Sequence, residues 1–240
     1  METKVKTLII IPAFNEGKNI YNIIREIVKV YPDFDIAVIN DGSIDNTVSE
    51  VKKSDVFLVN HPFNLGYGVA IQTGYKFAKE NNYDYLIQID GDGQHDIKNL
   101  GTIYEKLIEL NYDLVLGSRF TSKESYTPSF IRRCGMKLFR FVVNKITGLG
   151  LTDITTGFQG MNKKTLSIFV KDSFPFDYPD ADVLVLAYKK GLRITEVPVK
   201  MYMNQTGQSM HSGIIKNFLY VIQMFISLFI LLLQKRDKVQ

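Results

Sequence analysis

Short apolar runs alternate with helical periodicities through the first half of this chain, and no other feature restricts its fold as much. Thr7 to Ile11 is an apolar run closed by Pro12, after which Ile20, Ile23, Ile24, Ile27 and Val28 recur at the spacing of one helix face. Phe34 to Ile39 and Val56 to Val59 read as two more buried strands, and the polar stretch between them, Asp41 to Lys53, can carry a helix. A helix from Gly66 to Glu80 then leads to a strand at Tyr85 to Ile89, and a helix from Ile97 to Leu110 leads to a strand at Leu114 to Leu116. Parallel strands need a crossover that brings the chain back to the same end. This order therefore predicts an α/β domain with a mostly parallel central sheet and helices on both faces. Ligands of such sheets gather at the strand carboxyl ends. The clusters Ala13 to Glu16, Asp41 to Thr47, Asp90 to His95 and Ser118 to Phe120 all fall there.

The second half is less regular. A helix from Ser129 to Thr147 precedes a loop rich in Gly and Thr, Thr152 to Gly157, and a helix from Ala181 to Lys190 leads to a strand at Arg193 to Val199. With 240 residues and no Pro-, Ser- or Gln-rich linker, residues 1–212 read as one catalytic-sized unit, followed by a C-terminal helical stretch at 213–240. Within that stretch Ile214 to Leu233 is barely long enough to span a bilayer and contains Lys216, Asn217, Gln223 and Ser227. Its polar stripe and the trailing Lys235, Arg236 and Lys238 suit a helix lying on a membrane surface or on a small membrane-protein partner. A core or homo-oligomer contact is the plainer alternative.

Lys and Arg number 29 against 25 Asp and Glu, a net charge of +4 that gives no reason to expect nucleic acid as a partner. The excess is local. Arg132, Arg133, Lys137, Arg140 and Lys145 lie between Pro128 and Gly150 without an acidic residue, so an anionic partner is expected at that face. The single cysteine, Cys134, excludes an internal disulfide framework and a Cys-based zinc site. The apolar run near the N-terminus is too short for the core of a signal peptide, which suits a cytoplasmic location.

Two carboxylates, Asp90 and Asp92, leave the predicted fourth strand one residue apart, followed by Gly93, Gln94 and His95. Hard cations such as magnesium or manganese prefer oxygen ligands, and one or two carboxylates completed by substrate phosphates is a common way to hold them. A calcium loop is excluded, because its required Gly and its terminal Glu are replaced by His95 and Gly101. An Asp-Gly turn with no ligand is the plain alternative. Asp41 opens Asp-Gly-Ser-Ile-Asp-Asn-Thr, which reads either as a carboxylate holding a base or ribose or as a loop ending in a helix cap; both readings stand. Gly66-Tyr67-Gly68 is not a dinucleotide fingerprint, since the third glycine is Gly74 rather than residue 71. The close spacing suits tight helix packing near a ligand. His61, His95 and His211 show no hydrolase order, and His95 is given a supporting role.

Taken in order, Ile11-Pro12-Ala13-Phe14-Asn15-Glu16, the Asp41 to Thr47 motif, Asn64-x-Gly66-x-Gly68-x-Ala70, Asp90 to His95 and Gly117-Ser118-Arg119-Phe120 closely resemble the family 2 glycosyltransferases, of glycosyltransferase fold A. Asp153 to Phe158, Glu196-Val197-Pro198-Val199 and Gly207-x-Ser209 further resemble the dolichol-phosphate mannosyltransferases and bacterial polyprenyl-phosphate glycosyltransferases. The resemblance implies an inverting, metal-dependent transfer of a hexose or N-acetylhexosamine from a UDP- or GDP-sugar to a polyprenyl phosphate (undecaprenyl or dolichyl) at the cytoplasmic membrane face, serving cell-surface polysaccharide synthesis. It further implies that Pro12, Ala13, Asn15, Glu16 and Asp41 line the nucleotide site. Asp90, Asp92 and Gln94 would serve Mg2+ or Mn2+ and the diphosphate, and Arg119 with Arg132 or Arg133 would grip the acceptor phosphate. The subgroup often has Arg where this chain has Gln159 and Asn204. Transfer to a sugar hydroxyl of a glycan is the rival within the class, with Asp177, Asp180 or Asp182 as base or, equally, as helix caps. A non-catalytic nucleotide-sugar binding subunit is the rival outside it. A nucleotidyltransferase would want a Gly- and Lys-rich phosphate loop, which is not seen.

Overall fold

A computed structural model describes residues 5–120, 130–175 and 179–202 together with 226, 227, 230 and 233; for 130–134 the backbone alone is described. The elements run β1 (Thr7–Ala13), α1 (Ile20–Val30), β2 (Asp35–Asn40), α2 (Thr47–Val51), β3 (Phe57–Asn60), α3 (Tyr67–Glu80), β4 (Tyr85–Gln88), α4 (Asn99–Glu109), β5 (Leu114–Ser118), α5 (Phe130–Thr147), β6 (Gln159–Asn162), α6 (Lys163–Phe169), α7 (Ala181–Lys189) and β7 (Ile194–Pro198). The expected strand and helix alternation is present, with most boundaries shifted by one or two residues.

The strands form one sheet in the order β3-β2-β1-β4-β6-β5-β7. The chain starts at β1, builds outward through β2 to β3, and then returns to place β4 on the other side of β1, parallel to it. That reversal makes the gap between the β1 and β4 carboxyl ends the topological switch point, where an open α/β sheet leaves a crevice for ligand. The sheet is mixed: β6 runs antiparallel to both β4 and β5, while β5 and β7 are parallel. Both β6 and α6 were invisible to periodicity. Gln159 to Asn162 has no β-branched residue, and its Gly160 is there because a Cβ would run into Ile103 of α4.

Alternate residues of β1 enter two cores, as a strand buried on both faces requires. Leu8 and Ile10 join Ala70, Ile71 and Tyr75 of α3 and the apolar faces of α5, α6 and α7. Ile9 and Ile11 join Ile20, Ile23, Ile24 and Ile27 of α1 and Leu100, Ile103 and Leu107 of α4. Val28, grouped with the α1 face by spacing, is exposed. Gly74 lets α3 lie close on the sheet, since a Cβ there would sit 2.7 Å from Ile10 Cδ1.

Among the described residues no helix is long and apolar enough to cross a membrane. The expected C-terminal apolar helix lies outside the described residues except for 226, 227, 230 and 233, which are helical.

Candidate active site

The loops after β1 and β2 are laced together. Asn15 takes a left-handed backbone, φ 59°, and its N–H donates to Ser43 Oγ at 2.9 Å while its side-chain oxygen accepts from Ile44 N–H at 2.9 Å. Glu16 N–H donates to Thr47 Oγ1 at 2.9 Å, and Gly17 N–H to Asp45 Oδ2 at 3.0 Å. Asp45 also accepts from Thr47 N–H at 2.9 Å, at the start of α2. The motif fixes where Asn15 and Glu16 stand.

Asp41 is buried, and most of its hydrogen-bonding capacity is used inside the protein. Oδ1 pairs with His61 Nδ1 at 2.8 Å and accepts from Leu65 N–H at 2.8 Å, while Oδ2 accepts from Gly66 N–H at 2.9 Å. Gly42, at φ +68°, presses on the Phe63 backbone, where a Cβ could not fit. Asp41 therefore shapes the loop that opens α3. His61 is the partner that sequence reading missed; its Nε2 reaches Thr73 Oγ1 at 3.0 Å.

Asp90 and Asp92 emerge at the switch point, and their surroundings push them in opposite directions. Tyr67 O–H donates to Asp90 Oδ1 at 2.9 Å, and His95 Nε2 lies 3.3 Å from Oδ2, with the His95 ring against Phe158. Burial opposes ionisation of Asp90, but the His95 and Tyr67 contacts and the charge of Arg119 outweigh it and hold the carboxyl below the usual range. Asp92 is raised, by burial and by the charge of Asp90, against a hydrogen bond from Gln94 N–H at 2.9 Å. Glu16 joins them. Burial raises it to about 7, Asn19 draws it down, and Asp92, Asp45 and Asp90 add to the rise. Asn19 Nδ2 links Glu16 Oε2 at 3.1 Å to the Asp92 carbonyl at 3.4 Å, and a Cβ on Gly91 would come within 3.1 Å of the Pro12 carbonyl. The β1 and β4 exits are thus in contact, with three carboxylates around the gap.

Among the described residues no three His, Cys, Asp or Glu side chains form a metal cage. The donor set is instead a hard oxygen pair whose second member, Asp92, is disfavoured as an anion by its own neighbour. Such a set fits Mg2+ or Mn2+ shared with phosphates, which would relieve that repulsion. Gln94 is half-buried, and its carbonyl accepts from Tyr202 N–H at 2.7 Å.

Arg119, expected at the acceptor phosphate, is bound to the protein. Its Nε and Nη2 donate to the Asp153 carboxylate at 2.6 and 2.7 Å, and Nη2 also reaches Thr155 Oγ1 at 2.9 Å. Glu196 of β7 accepts from Thr152 N–H and from Asp153 N–H at 2.7 Å, and Gln159 Nε2 donates to the Thr156 carbonyl at 2.7 Å. Together these bonds hold the loop 152–157 against the site. A Cβ on Gly157 would stand 2.7 Å from Asp90 Oδ2 and 2.6 Å from Tyr67 Oη. Asp182, a candidate base, is 3% exposed in the first turn of α7, accepting from Val183 N–H at 2.9 Å and from Ser227 O–H at 2.6 Å. It has a capping and anchoring place, and burial raises it to about 6. The side chains of Arg132 and Arg133 on α5, and residues Asp177 and Asn204, lie outside the described residues.

Residues 8–169 match the profile of glycosyl transferase family 2. The chain belongs to that family. It is a glycosyltransferase by family and a single α/β domain of glycosyltransferase fold A. Its sequence is 27% identical over 229 residues to the UDP-N-acetylglucosamine–dolichyl-phosphate N-acetylglucosaminyltransferase of Methanococcus voltae, covering 88% of this chain and 91% of that protein. It is 28% identical over 222 residues to the undecaprenyl-phosphate mannosyltransferase of Micrococcus luteus, covering 87% and 88%. The polyprenol monophosphomannose synthase of Mycolicibacterium smegmatis is 26% identical over 218 residues, with 87% and 82% covered. In fold the chain is similar to glucosyl-3-phosphoglycerate synthase from Mycobacterium tuberculosis, solved with Mn2+, UDP and product, at a TM-score of 0.73 and 15% identity over 95% of this chain and 80% of that one.

Proposed function

We propose that this glycosyltransferase moves a hexose or N-acetylhexosamine from a UDP- or GDP-sugar to a polyprenyl phosphate, with inversion at the anomeric carbon. The observation that supports it most is geometric: the β1 and β4 exits meet at the switch point, where Asp90, Asp92 and Glu16 stand around one gap. Pro12, Ala13, Asn15, Glu16 and Asp41 would line the nucleotide site, Asp41 also holding the Leu65 and Gly66 backbone. Asp90, Asp92 and Gln94 would hold Mg2+ or Mn2+. When bound, the ion supplies charge neutralisation for the departing diphosphate.

In the reaction an oxygen of the acceptor phosphate forms a bond to the anomeric carbon as the carbon's bond to the diphosphate oxygen breaks, and a nucleoside diphosphate leaves. A phosphate monoester has a second pKa of about 6 and is largely ionised at neutral pH, so no general base is needed. Arg119, with Arg132 or Arg133, would grip the acceptor phosphate, and Arg119 also holds the loop 152–157. Names of the relatives support the lipid-phosphate class: three act, by name, on dolichyl, undecaprenyl or polyprenol phosphate. Residues 1–212 would form the catalytic unit, and 213–240 would attach it to the inner face of the cell membrane, alone or through a small membrane protein or a second copy.

Incubation of the protein with radiolabelled UDP- and GDP-sugars, a divalent cation and either a short polyprenyl phosphate or a glycan acceptor tests the proposal. Label is expected in an acid-labile lipid product. Label entering only the glycan would replace the lipid-phosphate reading with the sugar-hydroxyl one, and nucleotide-sugar binding without turnover would replace both with a binding subunit.

A further inference from the structure

Behind Asp90 runs a line of hydrogen bonds that starts in the core. Tyr75 O–H donates to Gln88 Oε1 at 2.5 Å, Gln88 Nε2 donates to Tyr67 Oη at 2.8 Å, and Tyr67 O–H donates to Asp90 Oδ1 at 2.9 Å. Each phenol has one proton, so the direction is set. With its oxygen filled by the Gln88 amide, Tyr67 can send its proton only toward the carboxylate. A reversed amide would turn Tyr67 toward Gln88 and leave two acceptors, phenol oxygen and carboxylate, facing each other. Tyr75 and Gln88 are each 1% exposed, and Phe169 and Phe174 pack on the Tyr75 ring, so the far end of the line is rigid and dry. From the opposite side Gly157 closes on the same pair, with no room for a Cβ beside Tyr67 Oη or Asp90.

Tyr67 belongs to the Gly66-Tyr67-Gly68 start of α3, which the nucleotide reading leaves without a chemical role. The structure assigns it one: we infer that Tyr67, aimed by Gln88 and Tyr75, is a positioning residue that fixes the orientation of Asp90 for recognition of the cation and diphosphate. The inference rests on the reading of Asp90 and Asp92 as the cation site. Removing a hydrogen-bond partner that orients a ligating group typically costs about 10-fold or more in metal affinity.

The test is isothermal titration of Mn2+ into the full chain with UDP or GDP present, for wild type, Tyr67→Phe, Tyr75→Phe and Asp92→Ala, alongside kcat and the KM for the cation. Tyr67→Phe is expected to weaken cation binding about 10-fold and to raise the cation KM more than it lowers kcat. Tyr75→Phe should move both in the same direction by less. Wild-type cation affinity and cation KM in a folded Tyr67→Phe protein would overturn the inference, whatever its melting temperature. If that variant does not fold, Tyr75→Phe decides, and unchanged cation affinity there is the contrary result. Loss of binding in Asp92→Ala with none in Tyr67→Phe would remove the Tyr67 role alone; full binding in Asp92→Ala would remove the site reading beneath it.

Discussion

Glu16 stands at the β1 exit with its pKa raised to about 7, first by burial and then by Asp92, Asp45 and Asp90. Its unfolded value is 4.5, so between these two pH values the native state binds more protons than the unfolded chain. Stability from this group is therefore undiminished below pH 4.5 and declines as pH rises to about 7. Urea unfolding at pH 5 and pH 8 should show the wild type losing stability relative to Glu16→Gln over that window. A constant difference between the two proteins would show that Glu16 is not buried among anions. A cation bound nearby favours the ionised form, so divalent affinity should rise over the same range. The pair Asp90 and Asp92 was legible in the sequence because both residues leave one strand end. Tyr67 was not. It lies 23 positions from Asp90, and only the packing of α3 on β1 through Gly74 brings them together.

At the scale of elements, the loop 152–157 depends on charges from two strands. Asp153 is fully buried, and Arg119 at the end of β5 supplies its bidentate partner, while Glu196 of β7 takes the loop's backbone N–H groups. Removing one partner of such a pair leaves a buried charge uncompensated. Arg119→Ala should cost about 3–5 kcal/mol in chemical unfolding and loosen the cover over Asp90. A loss near zero would mean that Asp153 finds another donor. The family resemblance of these motifs implies a phosphate contact for Arg119, and the structure adds an ion pair with Asp153. Sequence spacing could not reveal the ion pair, because Arg119 and Asp153 lie 34 positions apart with α5 between them and no periodicity links them. The early strands were legible for the opposite reason: β1, β2 and β4 are buried on both faces and read as apolar runs, whereas β6, Gln-Gly-Met-Asn, is held by pairing with β4 and β5 and by close packing of Gly160 on α4.

At the scale of the whole molecule, the few described C-terminal positions bear on the proposed membrane attachment. Ile226, Ile230 and Leu233 recur at helical spacing and are 54%, 52% and 71% exposed, while Ser227 reaches inward to Asp182 on α7. Under the proposed membrane attachment, these three exposed apolar side chains would enter the lipid surface. The protein should co-sediment with anionic vesicles, and replacing those three residues with Asn should abolish co-sedimentation while the fold remains. Retention by the triple variant would place membrane contact elsewhere. The proposed sugar transfer depends on one location, the gap between the β1 and β4 carboxyl ends. Anomalous diffraction from crystals grown with Mn2+ and UDP or GDP examines that gap directly. The expected result is a manganese peak within about 2.0–2.6 Å of an Asp92 carboxylate oxygen, with nucleotide phosphates completing its shell beside Glu16. A peak bound away from Asp90 and Asp92, or nucleotide seated at another sheet edge, would contradict it.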